Sequence, residues 1–184
     1  WFTGSLDDAK ASANEKLIML DFYATWWGGC NLLDADTFSN PEVAQYATEN
    51  LISIKVDVDE KEGSKLFSTF NGTVMPTLIF LDGNGKEIDR IIGYLPPEQY
   101  QSRVTEIQNN INTLGSCIEK YRNGERTAHL LFTIAQKYTD RNESENAKKY
   151  YKELLESFPD INEDMTSTAQ FELAYNEFKN GNID

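Results

Sequence analysis

Residues 17–30, Leu-Ile-Met-Leu-Asp-Phe-Tyr-Ala-Thr-Trp-Trp-Gly-Gly-Cys, constrain the fold more than any other stretch of the chain. An apolar run interrupted only by Asp21 predicts a strand buried on both faces. The run ends in Trp26, Trp27, two glycines and Cys30, so the strand should feed a glycine-marked turn and then a helix. Such a junction is a place for chemistry. Asp21 sets a condition of its own: a carboxylate inside an apolar strand is costly to bury unless a partner meets it.

The rest of the chain supplies the neighbours of that strand. Residues 1–16 hold a Ser5 N-cap candidate, acidic first-turn residues and then alanines, which predicts a helix covering one sheet face. A helix from Gly29, with Leu32, Leu33 and Ala35 on its buried side, breaks near Ser39 and restarts with Pro41 in the first turn. Residues 51–56 alternate like a strand, and the acidic run 57–62 after them reads as a solvated loop. It has no glycine hinge and is not a calcium loop. Residues 63–70 form a short helix stopped by Asn71 and Gly72. Residues 74–81 form a strand opened by Pro76, and the Asp-Gly-Asn-Gly turn at 82–85 returns 87–92 antiparallel. A last helix spans 93–112. The order is β-α-β followed by β-β-α, an α/β arrangement with a mixed sheet between helical layers.

Composition narrows the functional classes. With 184 residues, one core and a smaller appendage are expected. An apolar fraction of 40% with 12% aromatics is enough for a core and argues against disorder. A formal charge of −13 without a Lys/Arg cluster argues against nucleic acid or an anionic membrane surface as partner. The apolar runs are far shorter than the roughly 20 residues of a bilayer span. The chain opens at Trp1 without methionine, which fits a cleaved leader or a trimmed chain.

Taken together, these residues resemble thioredoxin over 1–112. Phe22-Tyr-Ala-Thr-Trp26 is similar to the strand that leads to the family's Trp-Cys-x-x-Cys motif, and Cys30 matches the second, resolving cysteine. Trp27 stands where the first, attacking cysteine is expected. Asp21 matches the family's buried aspartate, Lys55 the lysine beside it, and Met75-Pro76-Thr77 the cis-proline segment. Further landmarks, Thr37-Phe38, Asn40-Pro41-Glu42-Val43, Phe80-Leu81-Asp82 and Ile92-Gly93-Tyr94, resemble the exported thiol-disulfide interchange branch. That branch implies a periplasmic or otherwise extracytoplasmic location, with the cytoplasm as the alternative.

Residues 113–184 read as wholly helical. Leu131-x-x-Ile134-Ala135-x-x-Tyr138, Ala147-x-x-x-Tyr151 and Pro159 resemble the tetratricopeptide template at its own spacing. Leu173-Ala174 followed by Gly181-Asn182 resembles the first helix of a second repeat. A plain helical hairpin is the competing reading, and in either case protein contact is the expected contribution.

Thiol-disulfide exchange needs an attacking thiolate and then a second thiol that resolves the mixed disulfide. The resemblance implies that this chain keeps the inner thiol and has lost the outer one. The expected catalytic set is therefore Cys30, Trp27 as the position of the lost attacker, Asp21 and Lys55. Trp26, Met75 and Pro76 form the expected surface for a substrate's extended chain. Cys30 and Cys117 could form a structural disulfide, but a motif remnant and an inert core thiol are expected. His129, the single histidine, reads as a surface helix residue, and no metal set can be assembled from it and two distant cysteines. Gly83-x-Gly85 belongs to a hairpin, not a phosphate loop. No cofactor is implied. Expected partners are protein thiols or disulfides, extended peptides, and a protein bound through the helical tail. The alternative function is a redox-inactive, peptide-binding module of the same fold. A monothiol adduct role is weaker, because family monothiol proteins keep the outer cysteine.

Overall fold

In the computed structural model, which describes residues 1–179 and 181, the apolar run forms strand β1 (Leu17–Tyr23) with Ile18 to Phe22 all buried. It is an inner strand of a four-stranded sheet whose other members are β2 (Leu51–Asp57), β3 (Thr77–Leu81) and β4 (Glu87–Ile92), in the order β2-β1-β3-β4. The β1–β2 pair is parallel, and the β1–β3 and β3–β4 pairs are antiparallel. A parallel pair needs a crossover, and that crossover carries the Trp27–Cys30 segment.

Helices cover both faces of the sheet. On one side α1 (Leu6–Ser12) and α4 (Lys61–Thr69) pack over the even-numbered positions of β1: Ile18, Leu20 and Phe22 join Ala9, Ala13 and Ile79, with Leu66 and Phe67 against them. Ser5 caps α1 in a reciprocal box with Asp8. On the other side the segment 28–50 and α5 (Pro97–Gln108) cover Met19, Leu78 and Phe80 with Leu33, Val43, Tyr100 and Val104. The period-2 alternation of the strand therefore sends Asp21 to the same face as Met19.

The segment after the turn departs from the expected single helix. Helix α2 (Gly28–Leu32) runs into a π-helical turn, Leu33–Phe38, before α3 (Pro41–Asn50) starts from an Asn40 cap. The wider turn buries Leu33 and Thr37 and leaves Leu32 and Ala35 exposed, so of the three apolar positions expected inside only Leu33 is there. Two boundaries move as well. β3 begins at Thr77, because Pro76 has no N–H for a ladder; its carbonyl instead accepts from Gly93 at 2.8 Å. α5 begins at Pro97, with Pro96 as its extended N-cap, four residues after Gly93.

The contacts divide the chain into two units, Trp1–Thr113 and Leu114–Asp184. The second unit contains α6 (Leu114–Arg122), α7 (Ala128–Thr139), α8 (Ser144–Ser157) and α9 (Glu163–Lys179). Leu131, Ile134, Ala135, Ala147 and Tyr151 are all within its core, and Tyr138 is half-buried and stacks on Tyr150 with ring centroids 5.7 Å apart. Cys117 is buried in the same cluster, and His129 is exposed on α7. Leu173 and Ala174 lie in α9, whereas Asn182 is outside the described residues.

Candidate functional site

Asp21 and Lys55 face each other directly across the β1–β2 ladder. Lys55 Nζ lies 3.5 Å from Asp21 Oδ2 and donates to both carboxylate oxygens of Asp34, at 2.6 and 2.7 Å. The rings of Tyr23 and Trp1 cover the ammonium, with centroids at 4.3 and 5.2 Å. The buried carboxylate thus has the counter-charge that its position in an apolar strand requires. It shares that charge with Asp34, which holds the ammonium more closely.

The sharing shows in the electrostatics. Burial pushes the Asp21 carboxyl up, Lys55 pulls it down and Asp34 pushes it up again, leaving it at about 7. Asp21 Oδ1 is buried and makes no hydrogen bond to any described residue. Burial opposes the Lys55 charge, but its bonds to Asp34 and the field of Asp21 outweigh this and raise its pKa. Asp34 escaped the sequence reading. Its signal was an acid one helical turn beyond Cys30, on a segment expected to carry apolar residues inward.

Cys30 lies in α2, 3% exposed, with its backbone N–H donating to the Trp27 carbonyl at 3.1 Å. Burial pushes its thiol up and a hydrogen bond with the Ala24 backbone pulls it down; the charges of Asp21 and Asp34 add to the rise against Lys55. A buried thiol with a raised pKa is a poor nucleophile at neutral pH. Cys30 and Cys117 are both buried thiols rather than halves of a disulfide.

Outside the thiol lies an aromatic surface. Trp27 is the N-cap residue of α2 and is 45% exposed; Trp26 is 63% exposed. The two indoles meet edge to face, with centroids 5.9 Å apart. Trp26 Nε1 donates to Asp59 Oδ2 at 2.7 Å, so the acidic run after β2 anchors one indole of the turn. A Cβ on Gly29 would lie 3.1 Å from Trp27 Nε1 and 3.2 Å from Pro76 Cδ. Glycine here lets the indole and the proline close on the helix start from two sides. The Met75–Pro76 bond is cis, Pro76 is buried, and Met75 is half-buried beside exposed Val74. Cys30, Asp21 and Lys55 form the inner part of the candidate site, and Trp26, Trp27 and Pro76 its outer part, with Met75 adjoining through the cis bond.

Among the described residues no three His, Cys, Asp or Glu side chains group as a metal site, and no helix is long and apolar enough to cross a membrane.

A family model described as a thioredoxin-like domain matches residues 5–108. A thiol:disulfide interchange protein, DsbD, from Campylobacter jejuni is 41% identical over 97 residues, covering 52% of this chain and 17% of that protein. The chain spans about a fifth of the length of the curated relatives that it matches. Among solved structures, the oxidoreductase DsbH superimposes with a TM-score of 0.54 at 21% identity over 59% of this chain and 84% of that one, a likeness of fold. A putative disulphide-isomerase from Bacteroides thetaiotaomicron gives a TM-score of 0.50 at 26% identity, covering 56% of this chain and 88% of that one.

Proposed function

The chain belongs to the thioredoxin-like domain family, and on that premise we propose that it is an interchange-type module in which Trp27 has replaced the attacking cysteine. Its thiol-disulfide interchange lineage follows from relatives such as the Campylobacter protein. The observation that carries the finer reading is the asymmetry of the motif. The inner thiol, the buried acid and the lysine are all in place behind a residue that cannot attack a disulfide. In a complete site, an outer thiolate attacks one sulfur of a substrate disulfide, forming a mixed disulfide and releasing the other sulfur as a thiolate. The inner thiol then gives up its proton and attacks the outer sulfur, displacing the substrate's second sulfur as a thiolate, so the substrate leaves as a dithiol and the protein keeps the disulfide. As written, the chain has the second thiol of that sequence and not the first.

Trp27→Cys tests this. The variant should form a dithiol that reduces insulin disulfides at least about tenfold faster than the parent, followed by turbidity with a thiol reductant supplied. No gain, with both thiols titrated and the fold intact by circular dichroism, would remove the redox reading.

A second reading is favoured by the outer surface. Two exposed indoles, Trp26 held by Asp59 and Trp27 across Gly29 from Pro76, form a ready platform for an extended peptide, and binding of that kind does not depend on a thiol. A partner held equally by the parent and Cys30→Ser would support this binding-module reading. Strict dependence on Cys30 would return the case to thiol chemistry. We assign residues 1–112 to the interchange-type domain and 113–184 to a tetratricopeptide-like segment for protein contact. The proposed setting is periplasmic or otherwise extracytoplasmic, with protein thiols or disulfides as partners.

A further inference from the structure

Residues 1 and 2 reach the inner part of the candidate site from the outer edge of β2. Phe2 N–H donates to the Ser53 carbonyl at 2.8 Å, which ties this short segment to the edge strand. Neighbouring residues of an extended segment point to opposite faces of a sheet, and these two do. Phe2 packs against the cluster of Ala9 and Leu20 on one face. Trp1 lies on the other, where its ring meets Phe38 of the π-helical turn edge to face at 5.1 Å.

That second face also carries Lys55, paired with Asp21 across the ladder. The centroid of the Trp1 ring is 5.2 Å from Lys55 Nζ, and that of Tyr23 is 4.3 Å away. Two carboxylates compete for the same ammonium: Asp34 holds it at 2.6 Å, while Asp21 stands at 3.5 Å. The Asp34 side chain is 42% exposed and that of Asp21 only 3%, so an ammonium moving towards water would keep Asp34 and lose Asp21. The Trp1 ring restrains that movement. Trp1 is itself 57% exposed, so it fills no core position, and its printed ring contacts are to Phe38 and Lys55.

We propose that Trp1 is a positioning residue of the site: set in place by Phe2 and Phe38, its ring keeps the Lys55 ammonium within reach of Asp21. This rests on the reading that Asp21 and Lys55 serve Cys30. Attraction between the indole face and the cation supplies the restraint. Asp21 is also faced by Asp34 from the π-helical turn, Cys30 from α2, Tyr23 from its own strand and Tyr100 from α5, and Tyr23 in turn feels Asp57 and Glu60. Lys55 is the cation of this group and the one that pulls the Asp21 carboxyl down, so its placement sets the charge of the buried acid.

The test is an NMR titration of the Asp21 side-chain carboxyl carbon in the full 184-residue chain and in variants at position 1. Trp1→Ala should raise the Asp21 midpoint from about 7 by about half a unit, the scale of one cation–π contact at a partly exposed site. Trp1→Phe keeps a ring and should restore the parent midpoint. Trp1→Leu keeps an apolar cover without a ring and should behave as Trp1→Ala. The Lys55 ε-protons should lie upfield in the parent relative to Trp1→Leu, because the indole face shields them. An unchanged midpoint in Trp1→Ala, a parent-like midpoint in Trp1→Leu, or Lys55 ε-protons at the same shift in both chains would overturn the proposal. A midpoint that falls in Trp1→Ala would overturn it too, by making Trp1 a cover that keeps water from Asp21. These signals report on Asp21 and Lys55 alone, so they decide the role of Trp1 whatever Trp27→Cys shows about disulfide exchange.

Discussion

At the scale of single residues, Asp21 was the most informative position in the sequence, and it still determines how the site should respond to pH. A charged residue in an apolar strand announced a partner, and Lys55 stands directly opposite it. Asp34 was not legible, because its role depends on where a π-helical turn points its carboxylate and no spacing rule reports that. The titration of Asp21 has a definite sign. In the unfolded chain its carboxyl has the ordinary value of 3.8, and in the fold it stands at about 7, so between the two the folded state holds the proton more tightly. Stability therefore falls as pH rises through that window and is lowest above it. Lys55 from β2, Asp34 from the π-helical turn, the Cys30 thiol from α2, Tyr23 at the end of β1 and Tyr100 from α5 feel the same change. Asp21→Asn should be more stable than the parent above about pH 7, by on the order of 4 kcal/mol, with the gain shrinking towards about pH 4. Urea unfolding across that range measures it. Removing the charge should also lower the Cys30 pKa towards its ordinary value, read by thiol alkylation against pH in a Cys117→Ser background.

At the scale of elements, the sequence identified every strand of the sheet, because apolar runs and the Asp-Gly-Asn-Gly turn are local signals. It misjudged the ends where tertiary contacts decide. Helix α4 starts at Lys61, two residues before the glycine taken as its start. Gly63 is instead a packing position in the first turn: a Cβ there would lie 1.8 Å from the Asp57 carbonyl oxygen at the end of β2. Backbone cannot yield as a flexible side chain can. Gly63→Ala should destabilise the first unit by about 3 kcal/mol or more, a large effect for one methyl group on a helix, measured by chemical unfolding. An unchanged midpoint would mean that α4 can shift away from β2 freely.

At the scale of the whole molecule, the two units follow from composition as much as from topology: α/β alternation gives way after Thr113 to helices alone. The repeat-like spacing from Leu131 to Tyr151 corresponds to buried residues of the helical unit, although a plain helical hairpin buries the same periodicity. Leu131 is fully buried, so Leu131→Ala should destabilise the second unit by roughly 2–5 kcal/mol. Because Cys30 belongs to the other unit, its alkylation rate in the folded chain should stay at the parent value in Leu131→Ala. A faster rate would show that loosening one unit opens the other. The sheet has its own safeguard against misassembly in the Asp21–Lys55 pairing. Sliding β2 by one residue along β1 would set an aliphatic side chain against the buried acid, and sliding it by two would bring either Ser53 or Asp57 opposite. Among these alignments only the native one gives Asp21 a cation, so the pair whose charges reach the thiol also marks the strand register.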